Sequence, residues 1–227
     1  MSKHLIFAVS ILLLINHKEM MGQENIESLN LDNFRKYEAF NKVINKDSLD
    51  RSLLELAVFF ATNEQRVKHK LPEVSYNDLL AKAARNHSED MARLDFFNHE
   101  NKFNKKRKEP TNRCAEVGIA NPIIAENIAE GFIIEYEANV KVLVPEKGVF
   151  VDQKTDKILP NRTYLQLADN LVDRWMNSPG HRTNILSTDA KELGCGIALF
   201  YMTDFNEMPA VKATQNFQLF QKVTELK

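Results

Sequence analysis

Apolar residues recur at helical spacing in three stretches of the chain. Leu49, Leu53, Leu56, Ala57, Phe60 and Val67 follow three- and four-residue steps, with Glu64 the one polar member of that face. This period predicts an amphipathic helix ending near His69, before Pro72, and capped by Asp47 or Ser48. Ser75 to Asn77 offer a second cap. Leu79, Leu80, Ala83, Ala84, His87, Met91 and Leu94 then mark an apolar face that should end around Phe96 and Phe97. A third helix is expected from Tyr164 to Met176, with Leu165, Ala168, Leu171, Val172 and Trp175 on one side. Ser178-Pro179-Gly180 stops it, and His181 opens a short helix through Leu186. A further short helix is expected around Ile123 to Phe132.

Other stretches lose the helical period. Lys141 to Val144 and Val149 to Asp152 flank Pro145-Glu146-Lys147-Gly148 and read as a β-hairpin. Leu193 to Met202 and Val211 to Phe220 are rich in β-branched and aromatic residues and read as strands. Helices around a small sheet imply an α+β fold built in layers. Residues 98–112 read as a loop. Lys102, Lys105, Lys106, Arg107 and Lys108 crowd it as a solvated charge run. Residues 23–46 are polar with no firm period and read as an N-terminal extension to a domain over residues 47–222.

Composition then narrows the class. The chain has 227 residues, 44% of them hydrophobic and 27% charged, which suits one globular domain able to bury a core without staples. A net charge of -1 gives no electrostatic footprint for nucleic acid or an anionic membrane. Lys3 followed by the apolar run Leu5 to Ile15, then a polar stretch from Gln23, reads as a secretory signal peptide over residues 1–22. That run is too short to span a bilayer, which takes roughly 20 apolar residues. The mature chain is therefore expected to be secreted or periplasmic, with no transmembrane segment. Export permits a disulfide, and Cys114 and Cys195 allow one pairing. The alternative is two buried free thiols.

Chemistry concentrates at few positions. His99 follows the second helix and His181 opens the short fourth, both where elements end and functional groups collect. His87 lies on an apolar face and reads as a satisfied core histidine, and His69 as a solvated one. Glu126 and Asn127 sit side by side among apolar residues, as a helix cap, a loop tie, or a buried carboxylate facing imidazoles. Ser178 lies near His181, but the Pro-Gly between them is more simply a turn than part of a hydrolytic triad. No HExxH, CxxC, GxSxG or Walker loop occurs.

Five segments, in order, resemble a known family. Thr62-Asn63-Glu64-x-Arg66, Leu79-Leu80-x-x-Ala83-Ala84-x-x-His87-Ser88-x-x-Met91 and Phe97-x-His99 resemble the opening of a bacterial-type CAP (SCP) domain. Ala125-Glu126-Asn127-Ile128-Ala129 is similar to its Gly-Glu-Asn-Ile-Ala motif. Trp175-x-x-Ser178-Pro179-Gly180-His181-Arg182-x-Asn184-Ile185-Leu186 is similar to its most specific signature. Leu193-Gly194-Cys195-Gly196 and Gln215-Asn216-Phe217 resemble its last strands. The resemblance covers about residues 49–220 and implies a three-layer α-β-α sandwich with a central antiparallel sheet and a cleft. In many members two His and two Glu line that cleft and bind a divalent metal such as zinc. By motif these are His99, His181 and Glu126, with Asn127 and Ser178 beside them. The second Glu of animal-type members falls on Ser178 here, and Glu116 and Glu130 are replacements by proximity alone. Zinc normally takes at least three protein ligands. The resemblance thus implies an extracellular module for a ligand, a lipid or a protein partner. The alternative is a metal-dependent hydrolase, peptidase-like, using the cleft.

Overall fold

The computed structural model describes residues 28–136 and 140–226. The expected signal peptide over residues 1–22 lies outside the described residues, as does the start of the extension.

Helix α1 spans Arg51–Lys68, and the Asp50 carboxylate caps it by accepting the Leu53 N–H at 3.0 Å. The cap falls later than Asp47 or Ser48. Those two residues belong to a separate single turn, which Asn45 caps. Strand β1, Ser75–Tyr76, is two residues long and precedes α2, Asp78–Arg93. Asn77 caps α2 by accepting the N–H groups of Leu79 and Leu80. The helix stops before Phe96 because Asp95 turns left-handed (φ 51°) and the Phe96 N–H bonds back to the Met91 carbonyl at 3.1 Å. Helix α3, Pro110–Glu116, lies partly within the stretch expected as a loop. Its signal was Pro110 at the first helical position, and the Asn112 side chain accepts the Glu109 N–H there.

Strand β2 spans Ile124–Phe132, where a short helix was expected. It pairs antiparallel with β7 along its whole length, from Ile124 opposite Gln218 to Phe132 opposite Ala210. A short apolar stretch has no decisive period, and here the partner strand supplies the backbone bonds. The hairpin is present as β3, Val142–Glu146, and β4, Val149–Asp152, extended by β5, Lys157–Ile158, into a separate small sheet. Helix α4, Tyr164–Met176, follows as expected, whereas helix α5, Pro179–Ile185, begins two residues before His181, because Pro179 and Gly180, read as a turn, form its first helical positions after the Ser178 cap. Strands β6, Ala190–Met202, and β7, Met208–Leu219, pair antiparallel and complete the main sheet in the order β1-β6-β7-β2.

Three layers result. On one face, Leu193, Cys195, Ile197, Val211, Ala213 and Phe217 join residues of α1 and α4 in the main core, which includes the fully buried Trp175. On the other, α2 lies directly on β6. A methyl at Gly194 would sit 2.0 Å from the backbone nitrogen of Ala81, and one at Gly196 2.0 Å from that of Arg85. Only glycine admits a helix this close.

The segment expected as a polar extension packs onto the main core from Leu29 onward. Phe34, Phe40 and Ile44 are buried, and Phe34 stacks on Phe60 of α1 at 5.4 Å. Arg35 ties this segment to Glu64 of α1 and Asp169 of α4. Leu31, Phe34, Tyr37, Phe40 and Ile44 recur at three- and four-residue steps, a signal that the many polar residues between them obscure. Of the two alternatives for the cysteines, the structure has the buried free thiols. Cys114 and Cys195 are free thiols, one packed between α2 and α3 and the other in the main core. Burial pushes the Cys114 thiol up to about 12, so neither compartment nor spacing makes it reactive. Among the described residues, no helix is long and apolar enough to cross a membrane.

Candidate functional site

Adjacent residues of a strand point to opposite faces. Glu126 and Asn127 therefore leave β2 in opposite directions, and each organises one layer. Glu126 turns toward α2 and α3. One of its oxygens lies 2.8 Å from His99 Nδ1, and the other accepts from Arg113 Nη2 at 2.5 Å. His87 Nε2 stands 3.9 Å away. Swapping the Asn216 amide lets its nitrogen donate to the same carboxylate at 3.2 Å. The carboxylate is thus enclosed and committed on both oxygens. Burial raises its pKa, but the His99 hydrogen bond and the Arg113 charge outweigh that and hold it below the ordinary carboxylate range.

Arg113 is fully buried and does more than neutralise Glu126. Its Nη1 donates to the carbonyls of His99, Arg107 and Lys108 at 3.0–3.1 Å. It holds the basic loop around itself and, through the His99 backbone, fixes that histidine. The bond from Nδ1–H to Glu126 leaves His99 Nε2 pointing away from the carboxylate, on a side chain that is half exposed.

His87 does not fully match a satisfied core histidine. Its Nε2 donates to the Asn98 carbonyl at 3.0 Å, but its Nδ1 is buried without a partner. Burial, only partly offset by the Glu126 charge, brings it down to about 4. It is a neutral imidazole wedged behind the Glu126 carboxylate.

Asn127 turns the other way and latches α5. Its Nδ2 donates to the His181 carbonyl at 3.2 Å and to Gln215 at 3.1 Å, and its Oδ1 accepts from Asn184 at 2.9 Å. His181 is thereby placed at the edge of a pocket of about 220 Å³ whose walls include Phe97, Ile128, Trp175 and Ser178. Trp175 is pinned by its indole N–H, which donates to the Ile128 carbonyl at 3.0 Å. Burial lowers the His181 pKa, and His99 lowers it further, so the two imidazoles feel each other around the β2 edge. Ser178 caps α5 without a side-chain bond, and no hydrogen bond joins it to His181 among the described residues. Glu130 borders the same pocket and pairs with Lys212. Glu116 pairs with Arg107 at 2.5 Å on the exposed end of α3.

These residues do not fit a three-ligand metal centre. Glu126 is buried with both oxygens already accepting hydrogen bonds, and Glu116 and Glu130 are held by Arg107 and Lys212. Among the described residues no group of three or more His, Cys, Asp or Glu is placed to hold a metal ion. What remains is two imidazoles, one of them oriented from behind by a carboxylate. Sequence reasoning found His99, Glu126, Asn127 and His181 but not Arg113. A lone arginine after a basic loop gives no sign that its charge is buried.

A layered fold with a Glu-Asn pair on its edge strand, one histidine after α2 and another in the first turn of α5 defines a recognisable class. Residues 59–208 match the model of the cysteine-rich secretory protein family, CAP, and the chain belongs to that family. It is similar to the uncharacterized protein YkwD of Bacillus subtilis, with 28% identity over 64% of this chain and 42% of that protein. It is also similar to the uncharacterized membrane protein YlbC of the same organism, with 27% identity over 66% of this chain and 33% of that protein. The chain therefore spans less than half the length of either relative. Among solved structures, an extracellular protein containing an SCP domain from Bacillus anthracis aligns at 21% identity and TM-score 0.47, over 74% of this chain and 41% of that one. An outer surface protein of Borrelia burgdorferi aligns at 15% identity and TM-score 0.47, over 79% and 98%.

Proposed function

We propose that the chain is an extracellular binding module that takes a short apolar group into the pocket beside His181. That group is the end of an acyl chain or an aliphatic side chain of a protein partner. The observation that carries this reading is the contrast within the cleft. The carboxylate is closed off by His99 and Arg113, while the His181 pocket is open and partly walled by Phe97, Ile128 and Trp175. The site offers apolar surface and a hydrogen-bonding rim that includes the His181 ring, and no nucleophilic side chain is paired with that histidine among the described residues. A pocket of about 220 Å³ falls short of the roughly 300–1,000 Å³ of whole small-molecule sites, so it suits part of a ligand.

Trp175 is the sole tryptophan of the chain and reports on its own pocket. Titration with decanoate, and separately with N-acetylleucinamide, should change its fluorescence saturably. Ser178→Phe should abolish the change, because its new ring enters a pocket whose capping residue makes no side-chain bond. Silence toward both probes would remove the reading.

The metal-dependent hydrolase reading has one observation in its favour, the orientation of His99 by Glu126. Zinc titration by calorimetry at about pH 7.5, where imidazoles are neutral, decides it. Tight binding that vanishes in a folded His99→Ala/His181→Ala protein would favour that reading over ours.

A further inference from the structure

The main sheet has one edge that the protein covers only in part. Strand β1 pairs with β6 at Glu192 and Leu193 and goes no further. Beyond it, the Ile197 N–H points away from β7 and is taken by Glu55 of α1 at 3.0 Å. Glu55 in turn pairs with Arg85 of α2, and one helical turn on, Arg51 pairs with Glu89. Side chains of the two flanking helices thus close the edge as far as Ile197.

The ladder geometry says what happens next. Main-chain groups alternate between the two sides of a strand. Since Ile197 faces outward, so do Leu199 and Tyr201. Pro209, opposite Tyr201, agrees: its carbonyl bonds to Ile133 on the far side of β7, so this pair exchanges no bond with β6. The outward N–H and C=O groups of Leu199 and Tyr201 have no partner among the described residues. They open onto a groove of about 1,100 Å³ that runs along Ala198–Thr203, between Lys46–Leu49 and the end of α2. Beside Tyr201 a second hollow of about 520 Å³ continues it, lined by Lys147, Glu207 and Pro209.

Most charges in the groove are already paired: Lys46 with Asp47, Arg51 with Glu89, Arg93 with Asp90, Lys212 with Glu130. Asp95, Asp204 and Glu207 have no ion-pair partner among the described residues, against a single unpaired Lys147. The unbalanced charge is acidic.

We propose that the free edge of β6 at Leu199–Tyr201 is a docking strand for an extended, basic peptide segment of a protein partner. The segment adds beside β6 through main-chain hydrogen bonds, and its lysine or arginine side chains meet Asp95, Asp204 and Glu207. A strand edge recognises an extended backbone by its alternating donors and acceptors, and neighbouring hollows select side chains. Glu130 lines both the groove and the His181 pocket, but the β6 edge at Leu199–Tyr201 borders only the groove, so the proposal stands whether or not that pocket binds an apolar group. The exposed Arg51–Glu89 pair at its upstream end holds little free energy and yields to an incoming strand.

The test uses an N-acetylated, C-amidated hexapeptide of alternating lysine and valine, followed by amide NMR of the full mature chain at low salt. It should shift the Leu199 and Tyr201 amides and slow their exchange. Two versions N-methylated on alternate amides, one in each frame, should together show the need for a main-chain donor, with the weaker of them losing about tenfold in affinity. A glutamate–valine counterpart should lose at least as much. Equal binding by both methylated peptides, equal binding by the acidic peptide, or shifts confined to residues away from β6 would each overturn the proposal. So would protection of the same amides, without peptide, in a concentration-dependent dimer. Tyr201→Pro removes an edge N–H that the β6–β7 ladder does not use, and a folded Tyr201→Pro chain should bind the peptide about tenfold more weakly.

Discussion

Glu126 and Asn127 are consecutive, yet the halves of the cleft they organise are built on different physics. The Glu126 half is ionic and closed. A buried carboxylate is matched by a buried guanidinium, and His87 and His99 pack round it. The Asn127 half is neutral. An amide makes three hydrogen bonds, holds α5 by its backbone, and leaves the His181 ring free at the rim of a pocket. Charge is expensive to bury and must be surrounded, so the Glu126 carboxylate is enclosed and only the outer nitrogen of His99 faces outward from the ionic half. An amide needs only three or four partners, all found inside the protein, so the neutral half can position a side chain without consuming it.

The comparison breaks most severely if the ionic half loses its cation. Arg113→Met leaves Glu126 buried and unpaired and releases three carbonyls of the basic loop. Urea unfolding should show a loss of about 3–5 kcal/mol. Adding Glu126→Gln to that change should restore part of the loss. If the double change is as unstable as the single, the pair is not coupled as described. Acid should separate the halves next. The folded His87 pKa is about 4, below the ordinary 6.5. Between those values the unfolded chain takes up a proton that the folded chain refuses. Stability is therefore unaffected by His87 above about pH 6.5 and falls as pH drops toward 4, by as much as about 3 kcal/mol. The depressed Glu126 pKa acts in the same direction lower down, because its contribution is lost as pH falls through the folded value. His87→Gln, which keeps a donor for Asn98, should flatten the slope between pH 6.5 and 4.5, and an unchanged slope would assign it to other groups. The smallest effect belongs to the neutral latch. Asn127→Ala should cost about 2 kcal/mol and raise hydrogen exchange in α5 while leaving α2 and α3 protected. Equal loosening of both layers would mean the halves are not independent.

The long elements were legible because their period is sustained. Tyr164–Met176 carries enough apolar repeats to fix its bounds, and β6 and β7 are marked by apolar runs with β-branched and aromatic residues between turn residues. Strand β2 was not legible: Ile-Ala-Glu-Asn-Ile-Ala-Glu-Gly-Phe fits a short helix as well as a strand, and only pairing with β7 decides. The site was half legible. His99, Glu126, Asn127 and His181 stood out as motif residues, whereas Arg113 did not, because its role depends on a partner reached only through the fold. The same holds for Phe34 and Phe40, whose burial depends on a surface presented by α1 and α4. Cys114 and Cys195 show the limit from the other side, since two thiols in one chain say nothing about which compartments of the core they occupy.

Gly194 and Gly196 set the tolerances of this assembly. Helix α2 seats on β6 where two methyl groups are missing, as a key seats in a slot, so it can neither slide along the strand nor lift from it without losing the fit. His87 rides on that helix, and the Asn98–His99 segment hangs from its end. Alanine at either glycine would shim the joint open by the thickness of a methyl group and carry both histidines away from Glu126 together. Two residues with no side chain, on a strand that donates nothing to the ionic half of the cleft, thus act as its alignment pins.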